Sequence, residues 1–128
     1  MNYLIDTHTL IWYAEGNTRL PERIRDIVSN TNNMILVSHA SIWEMTIKMG
    51  LGKLDVRFKL AEWEAMLREK QFVFLSATFR HFDALLSLPH HHQDPFDRLL
   101  IAQAIVEGFT LVTHDSRFEQ YPVQLELF

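Results

Sequence analysis

The segment HHHQDPFDRLLIAQAIVEGFTLVTHD, residues 90–115, decides the fold class of this 128-residue chain. Asp94 fits a helix N-cap, and the proline after it suits the first helical position, where its missing N–H costs no hydrogen bond. The residues that follow are apolar on nearly every side, which predicts a buried helix that ends at Gly108. A β-favouring run, 110–113, leads to Asp115. Open α/β sheets place their sites in this way, with an acid at the carboxyl end of a strand.

The composition is that of an ordinary globular chain, and it excludes several kinds of site. The absence of cysteine excludes disulfides, thiolate zinc sites and a cysteine nucleophile, and it fits a reducing compartment such as the cytoplasm. The first strand is predicted to begin at about Asn2, which leaves no room for a signal peptide before it. No apolar run reaches the roughly 18 residues that a membrane span needs. The net charge of −4 argues against broad electrostatic binding of nucleic acid, but it leaves a nucleic-acid enzyme open.

Strand-like and helix-like segments alternate along the chain. The predicted strands are 2–5, 34–37, 72–75, 110–113 and 123–127, and the predicted helices are 7–14, 21–30, 38–49, 58–70 and 78–86, together with the buried helix that ends at Gly108. Residues 53–57 are predicted to form a loop or a short extension. Strands separated by helices predict one α/β domain, residues 1–128, with a mostly parallel sheet covered on both faces. Right-handed crossovers then bring the carboxyl ends of the strands to one edge.

Four acids have equivalent positions in this predicted sheet. Asp6 follows the first strand, and Glu44 lies in the helix after the second. Asp97 lies in the first turn of the buried helix, and Asp115 follows the next strand. Carboxylates gathered in this way repel one another unless a cation neutralises them, and hard oxygen ligands select Mg²⁺ or Mn²⁺. The sequence therefore predicts a divalent metal site that can activate water and stabilise a phosphoryl displacement.

Each of these acids also has a purely structural interpretation. Asp6 can cap the helix that follows it, and Glu44 can close a capping box or pair with Lys48. Asp97 can be the third-residue partner of the N-cap, and Asp115 can be a turn residue. Both interpretations stay open for each acid taken alone, and it is their joint placement at the sheet edge that favours a site.

Three segments resemble the PIN-domain ribonuclease family, and specifically its VapC-like toxins. They are YLIDTHTLIWY (3–13), LVSHASIWEMTIKMGLGKL (36–54) and DPFDRLLIAQAIVEGFTLVTHD (94–115), which cover roughly half the chain in the family's order. The resemblance implies a three-layer α/β/α sandwich and endonucleolytic cleavage of RNA that depends on Mg²⁺ or Mn²⁺. It also implies a small antitoxin protein as the partner, and a homodimer.

The resemblance also assigns roles to individual residues. The family's four acids match Asp6, Glu44, Asp97 and Asp115, and Thr113 matches the hydroxyl that often stands two residues before the last acid. The implied mechanism has the three aspartates hold the metal, directly or through water, while Glu44 completes the coordination or orients the attacking water. The expected products carry 5′-phosphate and 3′-hydroxyl ends.

Other polar and aromatic residues have less specific interpretations. His90–His92 are predicted to form a solvated loop, because consecutive histidines cannot all face one ion from a regular element. Arg98 is predicted either to contact phosphate or to be an exposed first-turn residue. Trp12, Trp43 and Trp63 are expected to pack in the core or in a dimer interface rather than to stack on bases.

Three other functions remain to be weighed. A phosphoacceptor receiver domain is also an α/β fold with acids at strand ends, but it needs a second acid beside Asp6 and an aspartate after the third strand. It also needs a lysine after a late strand, and no lysine follows Lys70. A housekeeping PIN nuclease for RNA processing and a catalytically silent PIN binding module both stay open as alternatives.

Overall fold

The computed structural model describes residues 1–54 and 58–128, and its strands form one sheet. These strands are β1 (Asn2–Ile5), β2 (Met34–Ser38), β3 (Val73–Leu75), β4 (Thr110–Thr113) and β5 (Leu125–Leu127). Their order in the sheet is β3-β2-β1-β4-β5, and each neighbouring pair runs parallel. The predicted mostly parallel sheet is confirmed, and in the described residues it is parallel throughout.

Helices connect the strands at each crossover. In the described part of the chain they are α1 (Thr7–Glu15), α2 (Glu22–Ser29), α3 (His39–Gly50), α4 (Leu60–Glu69), α5 (Phe79–Ser87) and α6 (Pro95–Glu107). Each predicted helix is present, with ends within two residues of the prediction. A short 3₁₀ helix, Ser116–Gln120, was not predicted. Of the predicted loop at 53–57, residues 55–57 lie outside the described residues. No helix within 1–54 and 58–128 has the length and hydropathy to cross a membrane.

The core is divided between the two faces of the sheet. Tyr3 and Ile5 of β1 belong to one hydrophobic cluster, whereas Leu4 between them belongs to the other. This division follows from the alternation of side chains along a strand. The first cluster includes Leu10 of α1, Ile24 of α2 and Trp63 of α4, and the second includes Leu100 and Ile101 of α6. The result is the predicted three-layer α/β/α sandwich.

Helix α6 is as buried as its apolar sequence predicts, since Leu100, Ile101, Ala102 and Ala104 are each at most 1% exposed. The Asp94 side chain caps this helix by accepting hydrogen bonds from the N–H groups of its second and third residues, at 2.9 and 3.0 Å. Gly108 ends the helix with a φ of 72°, a left-handed conformation that glycine adopts without strain. Asp94 thus begins α6 at the edge of the sheet, and Gly108 ends it before β4.

Candidate active site

The four predicted acids line one cavity of about 640 Å³ at the carboxyl edge of the sheet. Asp6 follows β1, Asp115 lies just beyond β4, and Glu44 and Asp97 come from α3 and α6. The cavity is also lined by Asp94 and by three cationic side chains, Arg19, Lys48 and Arg117. The prediction that the four acids meet is confirmed, while their chemical roles stay predictions.

Asp6 lies on the floor of this cavity, and both of its carboxylate oxygens are held. Oδ1 accepts a hydrogen bond from the backbone N–H of Thr9 at 2.9 Å, and Oδ2 accepts one from Thr113 Oγ1 at 2.7 Å. Burial raises the pKa of Asp6 above its ordinary value, although these hydrogen bonds act in the opposite direction. Asp6 therefore caps α1 and also faces the cavity, so the two interpretations of this residue are compatible.

Asp97 has the largest electrostatic perturbation of the site. Burial first, and then the negative charges of Asp94, Asp6, Glu44 and Asp115, raise the pKa of Asp97 to about 8. A carboxyl group with this pKa holds its proton at neutral pH until a cation offsets the surrounding negative charge. The cluster thus has the electrostatic character of a site built for a positive ion.

Glu44 is 4% exposed, and it is held by two donors from different elements. Thr7 Oγ1 donates to Oε1 at 2.7 Å, and Lys48 Nζ donates to Oε2 at 2.8 Å. The hydrogen bond from Lys48 to Glu44 is also the main reason that the pKa of Lys48 lies above its usual value. Ser41 Oγ lies 3.0 Å from Thr7 Oγ1 and so extends this network. The predicted pairing of Glu44 with Lys48 is present, and it sets the carboxylate in one orientation at the cavity wall.

Asp115 is the acid at the rim, and it shares its charge with Arg117. The Arg117 guanidinium donates to Oδ2 from Nη2 at 2.7 Å and to Oδ1 from Nε at 3.0 Å, while the Arg117 backbone N–H donates to Oδ1 at 2.9 Å. Burial alone would raise the pKa of Asp115, but the hydrogen bonds and charge of Arg117 outweigh it and hold that pKa below its ordinary value. Asp115 is therefore both a turn residue and a wall of the cavity.

The prediction of a solvated loop is wrong for His92. This side chain is 1% exposed, and its Nε2 lies 2.9 Å from Asp97 Oδ2 and 3.1 Å from Asp115 Oδ2. Its neighbours His90 and His91 are exposed, as predicted. Three adjacent histidines give no local indication of which one turns inward, so sequence reasoning missed this contact. The available signal was position, because His92 stands two residues before the N-cap of the helix that carries Asp97.

The interpretation of Arg98 as an exposed first-turn residue is also wrong. The residue is 7% exposed, and its guanidinium donates hydrogen bonds to backbone carbonyls of the α5–α6 loop. The distances are 2.9 Å to Pro89 O, 3.3 Å to Leu88 O and 3.4 Å to His92 O. Arg98 therefore fixes the loop that carries His92, a role that accounts for its buried donors without contact with phosphate.

The three tryptophans have different environments. Trp63 is 1% exposed, which confirms the expectation of core packing for this residue. Trp43 is 62% exposed, so it is not a core residue, and packing in a dimer interface stays a prediction for it. Trp12 packs partly against the core and also lines the acidic cavity, with its ring centroid 5.5 Å from that of His114 and 5.8 Å from Arg19 Cζ.

Fold and site together define a class of protein. It is an α/β domain with a parallel sheet and an acidic cavity at the carboxyl edge, where parallel sheets commonly bind ligands. The carboxylates fit a divalent cation: oxygens of Asp97 and Asp115 lie within 4.8 Å of one another and of a ring nitrogen of His92, and carboxylates suit hard ions such as Mg²⁺ and Mn²⁺.

The chain belongs to the PIN domain family, whose model matches residues 3–124. No curated protein sequence matches significantly. Solved structures of similar fold include DNA-bound VapBC from Salmonella typhimurium, at TM-score 0.74 and 20% identity, covering 99% of this chain and 98% of that one. VapBC2 from Rickettsia felis, bound to a promoter DNA fragment, has TM-score 0.70 and 19% identity, covering 99% and 98%. VapBC-1 from nontypeable Haemophilus influenzae has TM-score 0.69 and 17% identity, covering 98% and 97%.

Proposed function

We propose that this chain is a metal-dependent endoribonuclease and the toxin component of a toxin–antitoxin pair. The observation that carries the proposal is the gathering of four carboxylates in one cavity, where burial, and then the charges of the neighbouring acids, raise the pKa of Asp97 to about 8. Mg²⁺ or Mn²⁺ would relieve this repulsion, held by Asp6, Glu44, Asp97 and Asp115. When bound, such an ion lowers the pKa of a coordinated water and stabilises the charge that develops on a phosphate.

The protein's own contribution is to hold the carboxylates in fixed positions before substrate arrives. Thr9 and Thr113 hold the two oxygens of Asp6, and the donors to Glu44 come from α1 and α3. Groups that are already oriented need no reorganisation during reaction, which is the main source of electrostatic catalysis. Glu44, whose orientation Lys48 fixes, is placed to orient the attacking water or to complete the metal's coordination.

The substrate we propose is the phosphodiester backbone of RNA. Arg19, Lys48 and Arg117 line the same cavity as the acids, although the chain as a whole carries a net charge of −4. Local cations favour contact with phosphate, which is the dominant source of affinity in nucleic-acid binding. In-line attack of water on phosphorus would leave a 5′-phosphate on one product and a 3′-hydroxyl on the other.

The partner we propose is a small antitoxin protein that covers the acidic cavity, and the proposed assembly is a homodimer in the cytoplasm. Support comes from the structures of similar fold, which are described as VapBC complexes in three bacteria. In this arrangement the partner would compete with RNA for the carboxyl edge of the sheet.

The test is cleavage of total cellular RNA by the purified protein, freed of any copurifying partner. Parallel reactions contain EDTA, Mg²⁺ or Mn²⁺, and the Asp6→Asn/Asp97→Asn variant is assayed alongside. We expect discrete cleavage only when metal is present, and none with the variant. The products should carry 5′-phosphates, which can be detected by their direct ligation to an RNA adaptor. If no metal gives cleavage and the variant behaves like the wild type, the chain is a silent binding module.

A second measurement separates a toxin from a housekeeping nuclease. Induced expression in a bacterial host should arrest growth if the chain is a toxin, and the Asp6→Asn/Asp97→Asn variant should not. Cleavage in vitro together with normal growth would favour the housekeeping nuclease, provided that the expressed protein is folded and abundant.

A further inference from the structure

His92 is buried against the acidic cluster, at a position that the four-acid scheme does not use. Its Nε2 is hydrogen-bonded to Asp115 Oδ2 at 3.1 Å, and Asp97 Oδ2 lies 2.9 Å from the same atom. One ring nitrogen thus stands between two carboxylates that come from different elements of the fold. A donor hydrogen at this nitrogen would face both carboxylates at once.

The other ring nitrogen shows which nitrogen carries the proton. The backbone N–H of Asp94 donates to His92 Nδ1 at 3.2 Å. An amide N–H can only donate, so Nδ1 must present its lone pair, and the ring proton is on Nε2. His92 is therefore a hydrogen-bond donor toward the acids.

The rest of the residue is fixed from behind. The His92 N–H donates to the Tyr121 hydroxyl at 2.8 Å, and the His92 carbonyl accepts from Arg98 Nη1 at 3.4 Å. The ring also packs edge-on against Phe118, with centroids 5.4 Å apart. These contacts fix the backbone of His92 and pack its ring, while the bond from Asp94 N–H to Nδ1 favours the orientation with Nε2 toward the acids.

We infer that His92 is a positioning residue: its Nε2–H holds the Asp115 carboxylate beside that of Asp97, so that both face one side of the cavity for a common cation. This inference rests on the proposed metal-dependent function. Direct ligation by Nε2 would require the proton to move to Nδ1, and two N–H groups would then face each other where His92 meets Asp94. Groups that orient metal ligands in this way commonly contribute 10- to 100-fold to metal affinity.

The first test is the protonation pattern of the ring, read from long-range ¹H–¹⁵N NMR spectra of the metal-free wild-type protein. The chain has seven histidines, and the signals of His92 are those that disappear in His92→Phe. We expect a proton on Nε2 and a lone pair on Nδ1. A proton on Nδ1, or a ring that exchanges freely between the two forms, would overturn the inference without any reference to metal or activity.

The second test compares Mn²⁺ affinity in two variants by isothermal titration. His92→Gln keeps an N–H near the position of Nε2, whereas His92→Phe keeps an aromatic ring against Phe118 and removes the donor. We expect His92→Phe to bind Mn²⁺ about 10-fold more weakly or worse, and His92→Gln to retain most of the affinity. His90→Gln and His90→Phe, at an exposed position of the same loop, are the matched controls. Equal affinity in all variants, or equal loss in both His92 variants, would contradict a positioning role.

The third test is electron spin-echo envelope modulation of Mn²⁺ bound to the wild type. This measurement detects an imidazole nitrogen that coordinates the ion directly. Its absence supports positioning, and its presence would make His92 a ligand and overturn the inference. Failure of the proposed function gives a different result: the wild-type protein would neither bind Mn²⁺ nor cleave RNA. The NMR test of the Nε2 proton does not depend on either property.

Discussion

Two carboxyl groups of the acidic cavity have pKa values shifted in opposite directions; we call Asp6 and Asp97 the floor of the cavity, and Asp115 with Arg117 its rim. On the floor, burial and neighbouring negative charge raise the pKa of Asp97 to about 8. At the rim, the guanidinium of Arg117 holds the pKa of Asp115 below its ordinary value. The two carboxylates approach the same Nε2 of His92, so distance from the cluster does not explain the difference. Among the described residues Asp115 is ion-paired with Arg117, whereas Asp97 has no lysine or arginine partner, so the proposed metal ion would offset charge mainly at Asp97.

The largest expected effect is on cleavage. Asp97→Asn removes a charge that only a bound ion can balance, so we expect the rate of metal-dependent RNA cleavage to fall by about 100-fold or more. Asp115→Asn should cost less, since part of that charge is already balanced by Arg117. The measurement is the initial rate on one defined RNA in Mg²⁺, with the exposed Asp83→Asn as the control. Equal losses in the two site variants would remove the distinction between floor and rim.

The position of these acids could be predicted from the sequence, because it follows from simple geometry. In a parallel sheet the carboxyl ends of all strands lie at one edge, so Asp6 and Asp115 were expected at the same edge, and the pairing of β1 with β4 brings these strand ends side by side. The ends of α6 followed from Asp94 and Gly108, whose capping preferences are local.

The environment of His92 could not be predicted, because it depends on residues far away in the chain. Its inward position is fixed by Tyr121 and Arg98, and no periodicity in a loop records such contacts. The same reason explains why Arg98 was not expected to be buried. The rim cation was missed too, since the 3₁₀ helix that brings Arg117 back onto Asp115 was not predicted.

The second prediction concerns the stability of the metal-free protein between about pH 4 and pH 8. The folded state keeps the proton of Asp97 up to about pH 8, whereas the unfolded chain loses it near pH 4. The folded state therefore binds more protons in this range, and the free energy of unfolding should fall as the pH rises through it and level off above pH 8. The raised pKa of Asp6 acts in the same direction.

A difference of one in pKa corresponds to about 1.4 kcal/mol, so the loss should reach a few kcal/mol. Urea denaturation in EDTA at several pH values measures it, and Asp97→Asn should lose less stability over the same range. Added Mg²⁺ should restore the stability of the wild type at pH 8 by binding the folded state. The prediction is contradicted if the wild-type free energy of unfolding in EDTA does not change with pH, or rises with pH as it does for a salt-bridged acid. Either result would show that the pKa of Asp97 is not raised.

The third prediction tests how the floor is held in place. Thr113 is fully buried, donates to Asp6 Oδ2 at 2.7 Å and accepts from the Asp115 N–H at 3.1 Å. Thr113→Val keeps the shape and removes both contacts, so we expect a loss of about 1–3 kcal/mol in the free energy of unfolding. The pKa of Asp6 should also rise further, because one of the hydrogen bonds that lower it is gone. Thr31→Val, at an exposed turn, is the control for the substitution itself. Unchanged stability would mean that water replaces the hydroxyl without cost.

The smallest expected effect is a change in the pKa of Asp115 at the rim, which tests directly why Asp97 and Asp115 differ. Arg117→Gln removes the guanidinium that lowers the pKa of Asp115, so that pKa should rise to its ordinary value or above it, since burial then acts without opposition. A ¹³C NMR titration of the carboxyl groups in metal-free protein measures this directly, with Arg80→Gln on α5 as the control. High salt should move the wild type in the same direction, because exposed ion pairs are screened. The pKa of Asp97 should move up as well, but less, since a rim cation acts on the floor only at a distance. If the pKa of Asp115 stays low in Arg117→Gln, His92 rather than Arg117 lowers it. The same histidine would then control both Asp97 and Asp115, and the contrast between floor and rim would be lost.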